Sequence, residues 1–387
     1  METMARTAGT RLVFLDWVRI LAFGWLVLYH VGMYYVSWSW HVKSPHAGIW
    51  LEPWMRLSSP WRMDLLFLVS GAATSMMLLR EGASTGLLRQ RLGRLLWPLV
   101  FGVLVVVPPQ SWREVVFRFG YEGSYGEFLR LYLSGYSDFC AGPGRCLVLP
   151  TWNHLWFLPY LLSYTLLLWL LLRRWPGLLQ RLAAALPRVL AGSGLLLWPV
   201  LFLAALLALL RARFPDTRAL VDDWHAHSHF LAAFLLGAVL ARCPGMWTQF
   251  AQRRWRALVA ALLAWLLLLG ATPAWGALWP LPSALAGLLF AVQQWCAIVA
   301  ALGFAQVHLR SDGALRRYLT EAVFPVYILH QTLIIVLAWQ LAPFNLQPVV
   351  EAPLLVLLTL GLAFALFEVV RRWRWMRPWF GLQPALR

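Results

Sequence analysis

Three ionisable residues, Asp16, Arg19 and His30, interrupt an otherwise apolar stretch running from Leu12 to about Ser37. An ionisable group inside a membrane span is costly to hold and usually marks a functional path. Arg19 and His30 are eleven residues apart, close to three full turns of helix, so they share a face and stand roughly 16 Å apart along its axis. Asp16 lies one turn before Arg19, a spacing suited to an ion pair that lowers the cost of both charges. One face thus offers a cation toward the inner side and, toward the outer, an imidazole that exchanges a proton near neutral pH. The plainer reading is a structural Asp16–Arg19 pair, with His30 hydrogen-bonded inside a bundle.

Other polar residues carry the same double reading. In the apolar run Tyr327-Ile328-Leu329-His330 the tyrosine and histidine share a face, either as part of a catalytic centre or as a satisfied core pair. Arg91 and Arg94, also one turn apart, can grip a phosphate together or snorkel to lipid headgroups and set topology. Asp64 can orient a hydroxyl or pair with Arg62. The run Trp152-Asn153-His154-Leu155-Trp156-Phe157-Leu158 enters an apolar segment from outside. Its Trp152, His154 and Trp156, with Trp38, Trp40, Tyr34 and Tyr35, can stack on sugar rings. With 25 tryptophans in the chain, an interfacial belt is the default for any single one. His225, His227 and His229 alternate and can chelate a metal if the segment is extended. No cysteine or fixed carboxylate stands at matching spacing, so no metal site is expected. No GxSxG, HExxH, Walker or dinucleotide motif supports another enzyme class.

Positioning these residues calls for helices in a bilayer. Of 387 residues, 61% are hydrophobic and only 13% charged, and mean hydropathy is +0.65; a soluble core cannot absorb that much apolar surface. Apolar runs of spanning length occupy roughly 12–37, 61–80, 92–110, 154–172, 193–210, 228–241, 257–272, 284–306, 321–341 and 352–370. The expectation is an all-α, polytopic integral membrane protein of about ten transmembrane helices, a single domain over 1–387 with a retained first helix and no cleaved signal. With the N-terminus in the cytoplasm, 22 of the 33 basic residues fall in inner segments and 10 in outer ones, which places both termini inside. The net charge of +17 sits in short clusters between apolar runs rather than on one face, so nucleic-acid binding is not expected. The longest outer segment, 111–153, holds Glu114, Glu122, Glu127 and Asp138 and is where a hydrophilic partner would dock. Its Cys140 and Cys146 are either a local disulfide or two nearby thiols. Oligomeric state is not legible.

Taken together, the chain resembles the membrane-bound acyltransferase family 3. Leu15-Asp16-Trp17-Val18-Arg19 followed by His30 resembles that family's opening signature of arginine, ten residues, histidine. Leu66-Phe67-Leu68-Val69-Ser70-Gly71, Arg91-Leu92-Gly93-Arg94 with Pro98, His154-Leu155-Trp156-Phe157-Leu158, Phe234-Leu235-Leu236-Gly237 and Pro325-Val326-Tyr327-Ile328-Leu329-His330 follow in the family's order. The chain departs from the pattern at Ile20, Leu66 and Ala72. Its tail Pro378-Trp379-Phe380-Gly381-Leu382 and its HLWFL segment look most like the glucan biosynthesis protein C branch, succinyltransferases that modify periplasmic glucans. With no hydrolase-like domain after the last helix, the membrane-only form is expected.

The resemblance implies a multi-pass O-acyltransferase of the bacterial inner membrane, with no permanently bound cofactor and acetyl-CoA or succinyl-CoA as donor substrate. Arg91, Arg94 and Arg19 would hold the donor, and His30, Arg19, Asp16, His330 and Tyr327 would form the catalytic centre, with Tyr327 or backbone amides as oxyanion donors. Asp64, Trp152, His154, Trp156 and Glu122 would meet an extracytoplasmic carbohydrate. The rival readings are a transporter or channel using Asp16, Arg19, His30 and His330 as a relay, and a non-catalytic partner in a glycan-assembly complex.

Overall fold

The structure, a computed structural model, describes residues 12–81, 84–142 and 146–383. Of the basic residues counted for orientation, Arg6, Arg11, Arg145 and Arg387 lie outside these ranges. Among the described residues the fold is all helical, with no strand. In chain order the helices begin with α1 (Val13–Tyr35), α2 (Glu52–Ser58), α3 (Arg62–Glu81), α4 (Thr85–Phe101), α5 (Pro108–Phe119), α6 (Tyr125–Ser134) and α7 (Phe157–Arg174). They continue with α8 (Leu178–Val189), α9 (Gly194–Leu210), α10 (Trp224–Leu240), α11 (Pro244–Gly270), α12 (Ser283–His308), α13 (Ala314–Leu341) and α14 (Pro348–Arg372). Each of the ten apolar segments lies within this set. Five helices, Val13–Tyr35, Asn153–Arg174, Ser283–His308, Ala314–Phe344 and Pro348–Arg372, are long and apolar enough to cross a membrane by themselves. Three bent pairs raise the number to eight if each is one span.

The chain falls into two compact units, the first formed by Met1–Ala22, Pro53–Gln90 and Tyr160–Arg317. Within it α3 packs closely against α10. A Cβ built on Gly71 would sit 1.8 Å from the Phe234 carbonyl oxygen, and one on Gly237 would sit 1.9 Å from that of Leu68. Only glycine allows two backbones to approach so closely, the small-residue packing by which helices associate in lipid. The Ser-Gly and Leu-Gly motifs are therefore contact surfaces between helices.

The second unit comprises Phe23–Glu52, Arg91–Pro159 and Tyr318–Arg387. Within it, the outer segment expected as one long loop contains two helices, α5 and α6. Pro108 and Pro109 open α5, where their missing N–H groups have no intrahelical role. Gly120 closes it in the left-handed conformation at φ 64°. Ser124 and Glu127 form a reciprocal capping box that starts α6. Cys140 and Cys146 are disulfide-bonded beyond α6. The approach to the two prolines is a π-helical turn, Gly102–Val106, with Val107 N–H donating to Gly102 O at 2.8 Å. The carbonyls this turn releases are taken by side chains: Tyr132 donates to Val103 O at 2.9 Å and Thr332 to Val106 O at 2.7 Å. Such turns recur at functional sites, and this one leads directly into Gln110 and Glu114.

Candidate active site

α1 and α13 bring two histidines together in the second unit. His330 is fully buried. Its Nδ1 lies 2.6 Å from the Tyr327 carbonyl oxygen one turn earlier, and its Nε2 lies 3.0 Å from His30 Nδ1. A carbonyl oxygen only accepts, so His330 Nδ1 carries the proton and Nε2 of the neutral ring accepts from His30 Nδ1–H. Nε2 then becomes the basic nitrogen of His30, the tautomers being assigned from these partners.

A third histidine supports the pair. His154 Nε2–H donates to Ile328 O at 3.0 Å, and its Nδ1 accepts from Gln110 Nε2 at 3.3 Å. Its ring stands edge-on to that of His330, centroids 5.1 Å apart. Gln110, fully buried on α5, is the hub of the polar core. Its amide also donates to Thr332 at 2.6 Å, while its oxygen accepts from Gln331 at 3.1 Å and from Asn153 at 3.3 Å. Gln331 Nε2 donates as well to His41 Nε2 at 3.0 Å. His41 Nδ1 meets one oxygen of Glu114, whose other oxygen accepts from Arg118 at 2.7 Å. Both hydrogens of each glutamine amide are thus used, and a satisfied buried network of this kind rigidifies its surroundings.

These contacts also fix where several of the other candidates stand. The Tyr327 hydroxyl donates to the His154 carbonyl at 2.9 Å. His154 is buried, and both of its ring nitrogens bond within the protein. Asp16 stands only 3.9 Å from Arg19, and its stronger partner is Arg316, which makes a short ion pair with it and a second one with Asp312 at 2.8 Å. Arg316 is 2% exposed, although it lies in an inner basic cluster where nothing in the sequence separates it from Arg317. Asp64 is buried, its two oxygens taken by His229 at 2.7 Å and Gln294 at 3.0 Å, all in the first unit.

Arg94 donates from Nε to Gly381 O at 3.2 Å, on the tail that also packs Trp379 edge-on to Trp97 and tilted against Phe101. The tail motif therefore braces the helix that carries Arg91 and Arg94. Glu122 is exposed in the turn between α5 and α6, Trp152 is half-buried, and Trp156 is buried. His41, Gln110 and Gln331 repeat no motif spacing that would single them out in the sequence, and Glu114 lies in a segment that reads as a loop but is helical.

The histidines are not alternating on an extended strand at 225–229. They occupy the first turns of α10, so His225 and His229 share a face one turn apart and His227 points elsewhere. His227 is held by Tyr164 at 2.8 Å and by the Leu220 carbonyl. The carboxylate that sequence spacing did not reveal comes from Asp216, 2.8 Å from His225 Nδ1.

An all-helical chain with five to eight candidate spans is a multi-pass membrane protein in outline, and the rings of His30 and His154 both meet that of His330. The acyltransferase family 3 model, described as an acyltransferase domain, matches residues 12–368, and the chain belongs to that family. It is an acyltransferase, and the transport reading is not favoured. No curated protein and no solved structure matches the chain.

Proposed function

We propose that this enzyme moves an acetyl or succinyl group from acyl-CoA on the cytoplasmic side to a hydroxyl of an extracytoplasmic glucan or polysaccharide. The proposal includes ten spans, cytoplasmic termini and residence in a bacterial inner membrane. It is carried by the contact between His30 Nδ1 and His330 Nε2 at 3.0 Å, which orients one imidazole as a base. His30 Nε2 takes the acceptor's hydroxyl proton as the oxygen attacks the thioester carbonyl. A C–O bond forms, the C–S bond breaks, and the departing thiolate recovers the proton from His30. A positioned base supplies ~10²–10⁴ in rate for such a step. Positive charge developing on His30 is shared through His330 toward the Tyr327 carbonyl.

In this reading Arg91 and Arg94 hold the donor phosphates, with Arg19 serving the donor further along. Trp152, Trp156 and Glu122 supply acceptor contacts. His330, Tyr327 and His154 position the base, and Asp16 fixes the inner end of α1 through Arg316. Purified full-length protein, incubated with labelled acetyl-CoA or succinyl-CoA and a panel of glucans and polysaccharides, tests the assignment by mass spectrometry. Ester-linked acyl groups on a glycan support it. Transfer only to a lipid or to a soluble cytoplasmic acceptor overturns it.

A further inference from the structure

The first unit carries a second histidine cluster that acyl transfer does not use. Asp216, His225 and His229 present three ligand atoms that all lie within 4.8 Å of one another. They come from two segments: the loop after α9, and two successive turns of α10. Two imidazoles and a carboxylate form a zinc-type donor set. Ligand atoms about 2.0–2.1 Å from a tetrahedral Zn²⁺ stand roughly 3.3 Å apart, so small side-chain rotations close the present cluster around an ion.

We propose that Asp216, His225 and His229 bind one Zn²⁺, with the fourth position taken by water. Three further features fit this assignment. First, His229 is already oriented as zinc-bound histidines are. Its Nδ1–H donates to Asp64 at 2.7 Å, which turns the lone pair of Nε2 toward the cluster. Second, Asp64 is itself fixed from the other side by Gln294 at 3.0 Å, so an outer shell stands behind the ligand. Third, the imidazoles are shielded while Asp216 is 49% exposed, which leaves an entry path from water.

The loop that delivers Asp216 is also built for a fixed position. Buried Asp223 accepts from Tyr160 at 2.5 Å and from the backbone N–H groups of Thr217 and Arg218 at 3.2 and 3.0 Å. A bound ion would pin this loop onto the start of α10 as a structural clasp.

Tag-free full-length protein in detergent, stripped with a chelator and dialysed, is titrated with Zn²⁺ and analysed by mass spectrometry for bound metal. The wild type should take up about one zinc per chain with a rise in Tm, and Co²⁺ in its place should give the visible bands of a tetrahedral site. Asp64→Asn should keep the site but weaken it by ~10–100-fold. His225→Ala with His229→Ala should abolish both uptake and the Tm rise. Failure of stripped wild type to take up zinc or develop cobalt bands overturns the proposal without recourse to any variant. Undiminished uptake by the folded double variant overturns it equally, by placing the metal elsewhere.

Discussion

At the level of single side chains, the base and its supporting histidine should separate kinetically. In the proposed mechanism His330 reaches no substrate and sets the tautomer of His30 from behind. His330→Ala should therefore lower kcat by ~10–100-fold, less than loss of the base itself, while leaving the KM for acyl-CoA near wild type. A matching rise in KM would mean that His330 contacts the donor. The arginines should behave the opposite way. Arg91→Ala with Arg94→Ala should raise the KM for acyl-CoA far more than that for the acceptor, and equal effects on both would indicate a purely structural role. Among these residues the sequence exposed the partners whose spacing is periodic, such as Tyr327 with His330. It hid those joined only by the fold, such as Gln110, which is 44 residues from His154 and 222 from Thr332.

At the level of helices, glycine contacts and caps make distinct demands. Gly237→Ala puts a methyl 1.9 Å from the Leu68 carbonyl, so α3 and α10 must separate. Overpacking of this kind costs typically ~1–3 kcal/mol, and Tm in detergent should fall by several degrees. An unchanged Tm would show that the two backbones do not approach so closely. Lys43 provides a pH test. Its ammonium caps the end of α1 by donating to Met33 O at 2.6 Å and Val36 O at 2.5 Å. Burial pushes it down from 10.5 to about 8, partly countered by Glu52. The unfolded chain then binds this proton more tightly, so the stability of wild type relative to Lys43→Gln should rise as pH climbs from 8 toward 10.5. A pH-independent difference would contradict the burial. Helix positions were legible from apolar runs, all ten of which became helical. The helices α5 and α6 were not, because they are amphipathic and shorter than a span, and so resembled a polar loop.

For the molecule as a whole, membership of acyltransferase family 3 and an all-helical fold agree with what composition and motif order implied. Orientation rests on the arginine distribution, and the Cys140–Cys146 disulfide offers an independent reading of it. A disulfide persists in an oxidising compartment outside the cytoplasm. In intact spheroplasts, a membrane-impermeant maleimide should label these two cysteines only after reduction, with buried Cys243 and Cys296 silent throughout. Labelling only after the membrane is breached would reverse the orientation and with it the assignment of donor and acceptor sides.

The most direct measurement is single-turnover acyl transfer by His30→Ala, with wild-type Tm and helical content as the control for folding. The rate should drop by ~10²–10⁴, the contribution of a positioned general base. Transfer at the wild-type rate by the folded variant would contradict the account, since no other nitrogen is oriented by the His330 contact to take the proton.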